Sequence, residues 1–87
     1  MRCLRVLADR DPGVLLRVLE RFSNLNVIPD RFNAKCGPGS QITIEIELTE
    51  VPTATCALIA AKVAQLSAVL DVRLDDVERT RATITET

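Results

Sequence analysis

The chain has no histidine, tryptophan or tyrosine, and its aromatic content is two phenylalanines, Phe22 and Phe32. Without histidine there is no imidazole base, no basic partner for a catalytic thiol and no imidazole ligand for a soft metal. With two aromatics there is no platform on which nucleic-acid bases could stack. Charge of either sign is not in excess: 11 Lys and Arg stand against 12 Asp and Glu, a net charge of −1. Such a balance gives no long-range field to steer a nucleic acid or an anionic membrane surface. No apolar run approaches the roughly 18 residues of a spanning helix, and "MRCLRVLADRDPG" turns polar too early for a signal peptide. Cys3, Cys36 and Cys56 form an odd set without C-x-x-C spacing. They read as reduced, mostly buried thiols of a cytoplasmic protein.

What is present is an aliphatic chain of 87 residues, 47% hydrophobic, long enough for one domain. A domain of this size buries only about 60–65% of its unfolded surface, which favours association with a second copy. Residues 2–8, "RCLRVLA", alternate as a strand with Leu4, Val6 and Ala8 on one face. Residues 12–24 carry Val14, Leu15, Val18, Leu19 and Phe22 at helical spacing, entered through "DRDPG", with Asp11 as cap and Pro12 at the first helical position. Residues 27–36, "VIPDRFNAKC", place Ile28, Phe32, Ala34 and Cys36 on one face, and Pro29 makes this an edge strand.

After the "GPGS" turn, "QITIEIELT" at 41–49 alternates without a break. Thr53 is placed to cap a helix over 54–67, and "VLDVRLDDV" at 69–77 reads as a strand with Leu70, Val72 and Leu74 inward. The domain then spans 1–77. The polar tail 78–87 follows, within which 82–85, "ATIT", has the pattern of a further short edge strand.

The order β-α-β-β-α-β predicts an α+β fold, the ferredoxin-like sandwich: a four-stranded antiparallel sheet with both helices on one face. In its usual strand order, second-third-first-fourth, the outward charges alternate in dominant sign. Arg31 and Lys35 come first, then Glu45 and Glu47, then Arg5, then Asp71 and Asp75 around Arg73. That fold hosts many functions, so the site must decide. Base stacking is excluded by the glutamates on the open face. Metal carriage is disfavoured because "DRDPG" stands where a cysteine pair would be needed; Asp9 and Asp11 suit only a hard cation, and capping or solvation explains them as well. An acylphosphatase-like enzyme would place Arg10 at its anion, but Asp9 and Asp11 would repel phosphate. The residues point to a non-enzymatic module without a cofactor, a nucleic-acid partner or a membrane.

The stretch "DRDPGVLLRVLERFSNLNV", with "PGVL" at 12–15 opening a helix after the first strand, resembles the ACT domain, a small regulatory module. The resemblance in element order runs from residue 2 to about 76. It implies a homodimer with a small ligand, usually an amino acid, bound at the interface. Gly13, Val14 and Leu15 would then present backbone N–H groups to the ligand carboxylate, and the start of the second strand would come from the partner. Helix polarity agrees with an anion there. The length and "PGVLLRVLERFS" are similar to the small regulatory subunits of acetolactate synthase, which implies a biosynthetic enzyme as further partner. Two positions depart from that pattern. Arg10 stands where those relatives carry Asn or Asp, and Ile28 where they carry Asn. Asp11 also competes for the first-turn N–H groups. The stretch therefore has two readings, a ligand site made of Arg10, Asp11, Gly13, Val14, Leu15 and Ile28, or a helix cap in a ligand-free dimerisation or docking module.

Overall fold

The alternation of "QITIEIEL" builds the centre of the molecule. In the computed structural model, which describes residues 1–76, this segment is strand β3 (Gln41–Leu48). Its Ile42, Ile44, Ile46 and Leu48 are buried. Strand β1 (Arg2–Asp9) runs antiparallel to it, with Ala8 opposite Ile42, Val6 opposite Ile44 and Leu4 opposite Ile46. Helix α1 (Pro12–Ser23) adds Val14, Val18 and Phe22 to the same core, and helix α2 (Thr53–Ala64) adds Cys56, Ile59 and Val63. Each large aliphatic so buried contributes about 1.5–3 kcal/mol. Strands β2 (Arg31–Cys36) and β4 (Val69–Asp76) flank the pair, giving the antiparallel order β2-β3-β1-β4. This is the ferredoxin-like sandwich expected from the sequence. No helix among the described residues is long and apolar enough to cross a membrane. Val77, the tail 78–87 and its 82–85 segment lie outside the described residues.

Four local expectations are corrected. The second strand starts at Arg31, not at residue 27. Val27 N–H turns back to Phe22 C=O at 3.0 Å, and Asn26 adopts φ 57°. Asp30 then anchors the chain to the next strand: its N–H donates to Glu47 C=O at 2.8 Å, and its carboxylate accepts from Thr49 N–H at 2.6 Å. Ile28 therefore projects from a connecting segment and is 88% exposed.

Cys36 is exposed rather than buried, because β2 is an edge strand and of its inward positions Phe32 alone is half-buried. Thr53 does not cap α2. Its hydroxyl accepts from the Arg2 guanidinium, which also donates to Val51 C=O at 3.3 Å, and Pro52 occupies the cap position with no side-chain bond. Leu70 is not an inward residue. Pairing passes from Leu7–Asp71 to Ala8–Val69, so Leu70 is the extra residue of a bulge and is 51% exposed.

The outward face bears out the alternation of charge by strand. Arg31 lies opposite Glu47 and approaches it to 3.7 Å, and Arg5 lies opposite Glu45 at 3.2 Å. One register pair runs against the pattern: Arg5 also faces Arg73, which turns along its own strand to Asp71 at 3.4 Å. Cys3 is buried on this face between Glu47 and Asp75. Burial pushes its thiol up from the ordinary range, with Arg5 offsetting part of the effect, and burial does the same to Cys56 against Arg2.

Two outcomes follow from this packing. Glu45→Lys breaks a half-exposed pair and should cost at most about 1 kcal/mol in denaturant melts. Glu45→Lys combined with Glu47→Lys sets positive charge on three adjacent strands and should cost clearly more; an additive, near-neutral double variant would contradict the face as described. With a charged aromatic disulfide at neutral pH, Cys36 should react at once. Cys3 and Cys56, buried and protonated, should react only after denaturant is added.

Candidate functional site

Where β1 ends, three main-chain hydrogen bonds shape the loop into α1. Asp9 N–H donates to Ala68 C=O at 2.8 Å, Arg10 N–H to Ser40 C=O at 2.7 Å and Asp11 N–H to Asp9 C=O at 2.8 Å. Asp11 is extended, with φ −118° and ψ 125°, and Pro12 follows at the first helical position. A proline there loses nothing, since its missing N–H would have no helical partner. The helix mouth is thus set by a short turn and a rigid ring, not by glycine flexibility.

The Asp11 side chain closes that mouth. Its Oδ1 accepts from Gly13 N–H at 3.1 Å, and its main-chain carbonyl accepts from Val14 N–H at 2.9 Å. Its Oδ2 stands 3.9 Å from Arg17 Nη1, one helical turn beyond Gly13. The Arg10 guanidinium donates to Gly37 C=O at 3.1 Å, reaching the turn that leaves β2. Val14 is buried, so only its main chain can face a ligand, while Leu15 packs half-buried against the core. Gly13 has helical geometry and no need of it: an added Cβ would meet Arg17 Nη1 at 3.4 Å and Cζ at 3.6 Å, the end of a flexible side chain. Chemically the mouth is one N–H group, that of Gly13, holding a carboxylate with the Arg17 guanidinium beside it. That is an anion-accepting arrangement.

The structure brings Arg10, Asp11, Gly13, Val14 and Leu15 together and leaves Ile28 apart. Ile28 lies past the far end of α1, and twelve residues of helix span roughly 18 Å. There it lines an open hollow of about 360 Å³ with Leu19, Ser23, Asn26 and Val27. Two participants had escaped the sequence reading. Arg17 was legible in principle, four residues after Gly13 and so above it on the helix. The Gly37 carbonyl left no signal, because any residue supplies one.

The chain matches the family profile described as "ACT-like domain" over residues 2–81, and none of the curated proteins matches it. Among solved structures, the ACT domain from GTP pyrophosphokinase of Chlorobium tepidum superposes with a TM-score of 0.72. Identity is 10%, over 88% of this chain and 86% of that one. The C-terminal domain of the MgtC protein from Mycobacterium tuberculosis gives 0.69 at 15% identity, over 90% and 87%. An uncharacterised protein from Thermotoga maritima gives 0.71 at 15% identity, over 88% and 95%. At these identities the structural likenesses speak for the fold, and they agree with the profile. A βαββαβ sandwich whose first helix opens on "PGVL" behind the first strand, matched over residues 2–81, belongs to the ACT-like domain family.

Proposed function

We propose that this chain is a regulatory module that binds a small carboxylate ligand, an amino acid, at the mouth of α1 and in self-associated form modulates a metabolic enzyme. ACT-like domains are typically regulatory, ligand-binding modules and generally non-catalytic, which supports the reading at the level of class. The observation that carries it to this site is Asp11. A carboxylate oxygen already lies 3.1 Å from Gly13 N–H, which supports a carboxylate as the group this N–H takes. A ligand carboxylate would take the place of the Asp11 oxygen, with the backbone of Gly13, Val14 and Leu15 beneath it.

Arg10 bears on the choice of ligand, since its positive charge disfavours an ammonium group beside it. A second copy laid along β2 stands next to this mouth, because Arg10 reaches Gly37 at the end of that strand. Ile28 takes part only if a second copy supplies it. The resemblance to acetolactate synthase regulatory subunits makes an amino-acid biosynthetic enzyme the proposed target. A second reading, a ligand-free dimerisation or docking module, is favoured by the same Asp11 bond taken as a cap that nothing displaces.

Thermal melts in the presence of single amino acids separate the two readings. A ligand at about a hundredfold over its dissociation constant adds roughly 2.7 kcal/mol, on the order of 10 °C in a domain this small. Gly13→Ala should keep or raise the ligand-free melting temperature, by about 0.5–1 kcal/mol of helix propensity, and should abolish the ligand shift. Asp11→Asn keeps a good cap and removes the competing charge, so its ligand shift should exceed that of the wild type. Asp11→Ala should cost about 1 kcal/mol of stability. Absence of any shift across the amino acids would leave the docking module, and equal shifts in wild type and Gly13→Ala would move the site elsewhere.

A further inference from the structure

We propose that a hollow in the helix layer is a second binding site, which takes a small phosphate-type dianion through Arg21 and Lys62. Arg21 stands on α1 about 12 Å of helix beyond Gly13, so this site is separate from the α1 mouth and stands whether or not that mouth takes a ligand. The hollow is open, of about 380 Å³, and is lined by Arg21, Asn24 and Leu25 from the end of α1 and by Lys62 and Gln65 from the end of α2. Cations and side-chain amides converge there from both elements, and no carboxylate of the described residues lines it. Within the described residues, none of these polar side chains has an ion pair or a hydrogen bond to engage it. Arg21 is an exception in this, because every other arginine among the described residues meets an oxygen.

Helix polarity alone favours a cation in a last turn, and Arg21 and Lys62 both hold that place. Polarity does not account for their facing one hollow, where each raises the cost of the other's charge. Within α1 the cost is compounded. Arg17 stands one turn before Arg21, a spacing at which like charges repel. Arg17 has the Asp11 carboxylate 3.9 Å away, whereas Arg21 has no such partner among the described residues. Glu20 precedes Arg21 in the chain but does not line the hollow. A dianion seated there would offset both cations, which a single negative charge could not. The donors suit a phosphate in particular. The planar guanidinium offers a fork of N–H groups to two of its oxygens, Lys62 supplies a point charge, and the amides of Asn24 and Gln65 can donate to the oxygens that remain. Leu25, half-buried against the core, gives the hollow an apolar wall. The volume is at the small end for ligand pockets, which fits inorganic phosphate or a small phosphate monoester.

Nuclear magnetic resonance titration of the full, nitrogen-labelled chain tests this at mildly alkaline pH, where phosphate is a dianion. The probes are inorganic phosphate and glycerol phosphate, with sodium chloride at matched ionic strength as the control. The side-chain amide signals of Asn24 and Gln65 should shift and saturate with either phosphate, and chloride should not reproduce the shift. Saturation at equal concentration marks the phosphate group itself as what is recognised, and tighter binding of glycerol phosphate marks a phosphorylated small molecule; each supports the site. Arg21→Gln and Lys62→Gln keep good helix formers and should each weaken binding by roughly fivefold. Arg21→Lys keeps the charge but loses the fork, so it should weaken binding as well. Should a variant unfold, the wild-type titration still decides by which signals move. A shift confined to the Gly13 main-chain amide puts the anion at the α1 mouth and overturns the proposal. So does a shift that chloride matches, or binding by Arg21→Gln and Lys62→Gln equal to that of the wild type.

Discussion

The row Ile42, Ile44, Ile46, Leu48 locked against Leu4, Val6 and Ala8 is the constraint from which the other features descend. β1 is bonded on both sides, so its direction and its ends are fixed before any loop is considered. Its last residue, Asp9, is held by Ala68 C=O, and the next, Arg10, by Ser40 C=O. The chain leaves the sheet at a defined point and meets Pro12 there. The position of the helix mouth is thus a consequence of sheet register, and a one-residue slip in β1 would turn its whole apolar row to solvent.

That explains why the interior was legible and the periphery less so. Period-two alternation in β1 and β3 and period 3.6 in α1 report burial, and burial is what these elements have. The edge elements obey other forces. Ile28 follows the apolar pattern of a strand yet lies in a segment governed by Pro29, which lacks a donor, and by the Asp30–Thr49 bonds. Thr53 has the chemistry of a cap, but the Arg2 guanidinium from the other end of the sequence takes its hydroxyl. Leu70 fits an unbroken alternation that the bulge interrupts. In each case a contact distant in sequence, or a backbone irregularity, outweighed a local preference of at most about 1 kcal/mol.

The mouth of α1 shows the same competition at closer range. "DRDPG" announced a cap and an open backbone at once; the cap is present, and it covers the backbone, since Asp11 takes the Gly13 N–H and the Arg17 side chain stands beside it. What composition could not weigh is that the two uses address one donor. An internal carboxylate ordered by the fold is bound at high effective concentration, so an external one must gain affinity elsewhere, from further contacts to its own side chain or from a second chain. The Arg17 guanidinium, 3.9 Å from the Asp11 carboxylate, favours the anion whichever source provides it.

Arg10 also decides how this site can communicate. Its N–H holds Ser40 and its guanidinium holds Gly37, the two sides of the turn between β2 and β3. The helix mouth and the end of the β2 edge are therefore joined through one residue rather than through the core. Contiguity of this kind is not coupling in itself, which requires two arrangements with different affinities for a partner. The hydrophobic core is one continuous buried cluster from Leu4 to Leu66. The turn 37–40 does not share that constraint: its residues are largely exposed, and Gly39 sits at φ 73° with open space around it. An influence of the α1 mouth on a chain placed along β2 would run through the Arg10 tether, which bonds both sides of that turn.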